Sequence, residues 1–143
     1  MEDLKNEMKM EFPAASSYEG FARVTVGAFV AGLNPTVDEL ADIKTAVSEA
    51  VTNCIIHGYE QKEGRIWIQC STQGNQVEIS VMDVGKGISD IAQARAPMFT
   101  TKPELERSGM GFAFMEAFMD AVEVISEPRK GTCVTMRKTI GEG

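Results

Sequence analysis

DELADIKTAVSEAVTNCIIH, residues 38–57, reads as one amphipathic helix. At about 100° per residue, Leu40, Ile43, Val47, Val51, Cys54 and Ile55 fall on one apolar side, while Glu49, Asn53 and His57 line up as a polar stripe on another. Carboxylate, amide and imidazole then sit one turn apart and point one way. Read alone, such a stripe is a solvated helix face. Its neighbourhood argues otherwise, because Ile56 lies on the same side and the helix ends in the apolar run C-I-I-H-G-Y. A carboxylate on a partly covered face calls for a metal, a proton transfer or a polar ligand.

Working outward, the 143 residues make one domain, expected over 8–139, with enough chain for a real core. The 43% hydrophobic and 24% charged content is ordinary for a globular protein. A formal net charge of −7 argues against direct nucleic-acid binding, which needs a basic surface. No run approaches the ~18 apolar residues of a membrane span, and the opening MEDLKNEMKMEF has no signal-peptide character. Cys54, Cys70 and Cys133 are odd in number and widely spaced in apolar patterns, the usage of a reduced cytoplasmic protein without a disulfide frame or zinc spacing.

Ahead of the central helix, Lys9 to Phe12 alternates as a short strand that Pro13 ends. Ser16 with Glu19 reads as a capping box opening a helix through about Leu33, with Phe21, Val24, Ala28 and Phe29 as its core stripe and Arg23 off it. Thr36 with Glu39 supplies a second capping box for the central helix, and Gly58 is a plausible C-cap. Arg65–Ser71 and Gln76–Met82 then read as a hairpin, and Val77, Ile79 and Val81 face one way while Glu78 and Ser80 face the other. A helix over Ile91–Arg95 follows, then an apolar helix after Gly109-Met110-Gly111, and strands over Ala121–Ser126 and Thr132–Lys138.

Between these elements lie further chemical signals. Asp83-Val84-Gly85-Lys86-Gly87 places an acid at a strand end before two alternating glycines, which suits backbone approaching a flat ligand while a carboxylate accepts a hydrogen bond. Taken alone it is a Gly-rich turn capped by Asp. Gly109 and Gly111 before a helix expose backbone N–H groups at the positive end of the dipole, which suits phosphate. The polar segment preceding them, with Thr100, Thr101, Lys102, Arg107 and Ser108, has no clear periodicity and predicts a mobile lid. Gly131-Thr132 closes a late turn, by itself a simple hairpin.

In this order, E-x-x-x-N-x-x-x-H, D-x-G-x-G, G-x-G before a helix and a late G-T resemble the signature of the GHKL ATPase and kinase superfamily over nearly the whole chain. Within it, SEAVTNCIIHGY and FTTKPELERSGMGF resemble most the bacterial anti-sigma serine kinases of the sporulation type. That resemblance implies an α/β two-layer sandwich, a mixed and mostly antiparallel sheet with helices on one face. It implies ATP or ADP as ligand with Mg²⁺, a sigma factor as partner, an anti-anti-sigma protein as phosphoacceptor, and a homodimer.

Carried over residue by residue, the resemblance makes Glu49 the general base and Asn53 the Mg²⁺ ligand. Asp83 would accept from the adenine amino group beside Gly85 and Gly87, with Thr132 near the base. Thr100, Thr101, Lys102, Arg107, Ser108, Gly109, Met110 and Gly111 would surround the phosphates. His57 is given a structural role, and Arg23, within FARVTV, is a candidate for partner contact. Two other readings stand beside this one: a stress-response kinase of the anti-sigma-B type, and a nucleotide-dependent binding module without kinase activity.

Overall fold

The computed structural model describes residues 4–87 and 111–141. The chain runs β1 (Lys5–Pro13), α1 (Glu19–Val30), α2 (Val37–Asn53), a π-helical turn (Cys54–Gly58), β2 (Arg65–Gln73), β3 (Gln76–Asp83), α3 (Gly111–Phe118), β4 (Ala121–Glu127) and β5 (Gly131–Thr139). The five strands form one sheet in the order β1-β2-β3-β5-β4. All of its described pairings are antiparallel, which makes the two-layer α/β architecture more regular than the mixed sheet expected.

Side-chain alternation divides the sheet into two unlike faces. Ile66, Ile68 and Cys70 of β2, Val77, Ile79 and Val81 of β3, and Val134 and Met136 of β5 are buried under the helices. There they meet Ile43, Val47 and Val51 of α2 and Met115 of α3 in a single core. The opposite face carries, across neighbouring strands, Trp67, Met82, Cys133 and Ile125 in one row. Ile125 in that row is 69% exposed.

The second capping box forms as expected. Thr36 Oγ1 accepts the Glu39 N–H at 3.0 Å and Glu39 Oε1 accepts the Thr36 N–H at 2.9 Å. Glu39 Oε2 also accepts the Gly141 N–H at 2.9 Å, so one carboxylate ties the start of α2 to the far end of the chain. These N–H donors hold its pKa below the usual carboxylate range.

At the first box the structure differs. A 3-10 turn over Ser16–Tyr18 precedes α1 with no side-chain cap, and Glu19 turns to Arg23 instead. The expected core stripe of α1 is also corrected. Phe21, Val24 and Ala28 face outward, Phe29 is half-buried, and Ala22, Val26 and Val30 carry the burial. EGFARVTVGAFV is apolar nearly all round, so periodicity leaves two candidate faces. Packing selects the smaller residues, because α1 lies close on α2: a Cβ on Gly27 would come within 2.7 Å of the Lys44 side chain.

Other differences are of length and of termination. β1 is longer than Lys9–Phe12 because Met8, Met10 and Phe12 point inward between exposed Lys and Glu residues that mask the alternation. The central helix widens to π over its last turn, where the Tyr59 N–H reaches back to the Cys54 carbonyl at 2.9 Å. Gly58 is therefore not a left-handed C-cap; the positive φ angles fall at Glu60 and Gln61. The helix expected at Ile91–Arg95 lies outside the described residues.

The cysteines are free: Cys54 and Cys70 are buried and Cys133 is partly exposed on the open sheet face. Burial pushes the Cys54 thiol well up and that of Cys70 to about 12. Titration of the native chain with dithionitrobenzoate at pH about 8 is expected to release one fast equivalent, from Cys133, and all three cysteines after unfolding. Three fast equivalents in the native state would contradict this packing.

Candidate functional site

The central helix delivers its polar stripe to the edge of the core. Glu49, Asn53 and His57 are each half-buried, with Ala46, Ala50, Val51 and Cys54 buried beside them. At a rise of about 1.5 Å per residue, Asn53 stands roughly 7 Å and Glu49 roughly 13 Å back along the helix from Gly58.

Gly58 is where the helix meets the acid at the end of β3. A Cβ there would stand 3.0 Å from both Cγ and Oδ2 of Asp83 and 3.1 Å from Oδ1, so the carboxylate rests directly over the glycine. A methyl group would displace it. Asp83 is 4% exposed. Its Oδ1 accepts the Gly85 N–H at 2.9 Å, whereas Oδ2 has no hydrogen-bond partner among the described residues. Burial raises its pKa, opposed by the Gly85 N–H, the neighbouring Cys54 thiol and the Thr132 N–H. A buried carboxylate oxygen left unsatisfied is costly, and ligand sites are where such costs persist.

The turn that presents Asp83 is fixed at successive groups. The Val84 N–H donates to the Tyr59 hydroxyl at 2.9 Å, and that hydroxyl donates to the Arg65 carbonyl at 2.6 Å. The Lys86 N–H donates to the Gly58 carbonyl at 2.9 Å, and the Arg129 N–H donates to the Lys86 carbonyl. Gly85 and Gly87 serve this packing. A Cβ on Gly85 would fall 2.1 Å from the Gly58 oxygen, and one on Gly87, at φ 75°, would fall 2.0 Å from the Glu127 oxygen.

Thr132 pairs with Asp83 across the β3–β5 ladder and is buried. Its Oγ1 lies 2.8 Å from Ser126 Oγ, which itself donates to the Gly131 carbonyl at 2.8 Å. Ser126 has one proton and gives it to that carbonyl, so the Thr132 hydroxyl is the donor in the pair and keeps its lone pairs for another group. The structure thus brings Asp83, Gly85 and Thr132 together with the end of the central helix. Arg23 stands apart on the α1–α2 seam, donating to Glu19 at 3.1 Å and to Ser48 Oγ at 3.3 Å.

Gly111 is the first residue of α3; Thr100, Thr101, Lys102, Arg107, Ser108, Gly109 and Met110 lie outside the described residues, as does the expected lid. Sequence reasoning missed Tyr59, Ser126 and the contact of Gly58 with Asp83. The signal for Ser126 was a hydroxyl at a strand end facing Thr132; nothing in the sequence pairs Tyr59 with Val84.

A groove of about 620 Å³ runs past Trp67, Met82, Cys133 and Ile125 on the open sheet face and touches Asp83 and Thr132 from behind. It is not the site these side chains face, since alternation turns Asp83 and Thr132 toward the helices. Among the described residues no cluster of His, Cys, Asp or Glu could hold a metal by itself, and no helix is long and apolar enough to cross a membrane.

The orphaned Oδ2 has a thermodynamic signature. The folded chain keeps a proton on Asp83 to higher pH than the unfolded chain does, so the cost is absent below the ordinary carboxylate range and grows as pH rises through it. Without nucleotide, Asp83→Asn is expected to stabilise the chain at pH 7 by about 1 kcal/mol, roughly 3 °C in melting temperature. The gain should shrink toward pH about 4. Thermal melts of both proteins across that range check it, and an Asn variant less stable at every pH would refute it.

Residues 12–138 match the model of the histidine kinase-like ATPase domain. The chain is 57% identical over 136 residues to the anti-sigma F factor of Halalkalibacterium halodurans, covering 94% of this chain and 93% of that protein. It is 54% identical over 140 residues to that of Bacillus subtilis, covering 97% and 96%. With the anti-sigma F factor of Thermoanaerobacter sp. it shares 58% over 136 residues, 95% of each chain.

Proposed function

Because the chain belongs to the histidine kinase-like ATPase domain family, we propose that it binds ATP, holds a sigma factor of the sporulation sigma-F type inactive, and transfers the terminal phosphate of ATP to a serine of an anti-anti-sigma protein. The relatives' names support the anti-sigma role. The observation that carries the nucleotide site is the buried, unpartnered Oδ2 of Asp83. An adenine amino group is a donor of the kind that oxygen lacks, and the Thr132 lone pairs offer a second contact to the base.

From Asp83 the ligand follows the central helix toward its polar stripe. Asn53, nearer the base, supplies one neutral oxygen, which suits Mg²⁺ completed by phosphate oxygens and water. When bound, that ion supplies charge neutralisation at the phosphates. Glu49, one turn further, is the carboxylate that takes the proton of the attacking serine hydroxyl as the O–P bond to it forms and the bond to ADP breaks. The chain's contribution beyond this proton transfer is orientation. Gly109 and Gly111 with the segment from Thr100 to Ser108 are proposed to surround the phosphates, on the resemblance alone.

The outer face of α1 supports a protein interface. Phe21 is 51% and Val24 59% exposed, Tyr18 is 40% exposed, and Phe21 meets Phe12 edge to face with ring centroids 6.3 Å apart. Beside them lies β1, an edge strand of nine residues. We assign this face to homodimer formation and Arg23, at its margin, to partner contact.

Calorimetry on the wild type should give Mg²⁺-dependent ATP binding. Asn53→Ala is expected to lose the Mg²⁺ dependence, whereas Glu49→Ala should bind ATP near normally yet transfer phosphate at least ~100-fold more slowly. ATP binding without phosphoserine on any candidate anti-anti-sigma protein would favour a binding module. Capture of a sigma-B type factor in preference to sigma-F would favour the stress-response reading. On the α1 face, Val24→Asp should shift the chain from dimer to monomer by light scattering, and Arg23→Glu should weaken partner binding at least ~10-fold. Unchanged mass and unchanged binding would remove those two assignments.

A further inference from the structure

Tyr59 packs against the margin of the core and is absent from the four motifs, yet its hydroxyl joins three segments at the turn that carries Asp83. It stands one residue after the glycine on which the carboxylate rests, donates to the carbonyl of Arg65 at 2.6 Å, and receives the Val84 N–H at 2.9 Å. Val84 lies between Asp83 and the glycine whose N–H holds Oδ1. We propose that Tyr59 is a positioning residue for base recognition: its hydroxyl locks the Asp83-Val84-Gly85 turn so that the free carboxylate oxygen faces the base. The inference rests on the reading of Asp83 as acceptor for the adenine amino group.

The geometry separates this role from simple packing. The tyrosine ring lies against Gly64, where a Cβ would come within 2.6 Å of it, so ring and hydroxyl have distinct work. Phenylalanine keeps the ring and removes only the hydroxyl. Because Val84 is 66% exposed, water can reach this turn and replace the lost partner of its N–H. Global stability then changes little while the turn loses its fixed angle. Burial raises the phenol's pKa, so the proton that binds the Arg65 carbonyl is retained throughout the physiological range.

The test compares ATP with ITP, whose base carries a carbonyl oxygen in place of the amino group. Wild type is expected to prefer ATP. Tyr59→Phe should lower ATP affinity about tenfold and ITP affinity less than about twofold, with the melting temperature nearly unchanged. Equal losses for both nucleotides, or no loss for either, overturn the proposal. Asp83→Asn tests the underlying reading separately: if it leaves the ATP/ITP ratio untouched, the base reading fails and this inference fails with it. If it collapses the ratio and Tyr59→Phe does not, only the role of Tyr59 fails. Should Tyr59→Phe not fold, amide exchange in the wild type decides, because Val84 N–H protection should rise with ATP and not with ITP. Protection unaffected by either nucleotide overturns the proposal.

Discussion

A carboxylate removed from water and left one hydrogen bond short is the constraint around which this molecule is arranged. Asp83 ends a strand whose inward residues are all core, so alternation commits its side chain to the covered side of the sheet. It can sit there because the central helix ends against it in Gly58, which leaves room for both oxygens. The neighbouring N–H groups satisfy one oxygen and not the other. Such a group lowers stability in the empty protein and gains most from a ligand that brings a donor.

The helix and the sheet divide the remaining labour. The central helix supplies chemistry in one dimension, with acid recognition at its end and amide and carboxylate one and two turns before it. The sheet supplies the second dimension by setting Thr132 opposite Asp83, while Ser126 opposite Thr132 fixes which hydroxyl donates. Neither element forms the site alone. Their joint is the short turn 83–87, held by Tyr59 and Gly58 on one side and by the β4–β5 turn on the other.

Much of this was legible in the chain because the signals were local. The Thr36–Glu39 box, the hairpin of β2 and β3 and the inward Val77-Ile79-Val81 pattern each involve residues close in sequence, and each formed. The motif order identified the family. What escaped were facts set by distant partners. An α1 that is apolar all round cannot reveal its buried side, and only contact with Lys44 and Leu40 at Gly27 decides it. Likewise Gly58 looks like a cap until Asp83 is seen above it, and the glycines of the D-x-G-x-G turn make room for Gly58 and Glu127 backbone. Tyr59 and Val84 are 25 residues apart in sequence, a separation no periodicity bridges.

The π-helical turn at Cys54–Gly58 acts as a vernier between the two halves of the site. Its wider repeat accommodates an additional residue within the final turn, and that residue sets the azimuth at which Gly58 and Tyr59 leave the helix. Removal or insertion of a single position in this segment would rotate them by about 100°. The D-x-G turn would then lose both of its helix-side anchors at once, although every residue of the stripe and of the turn were kept. For this domain, the length of the segment Cys54–Gly58 is therefore as strict a requirement as the identity of the motif residues, and it is one that a comparison of motifs alone would pass over.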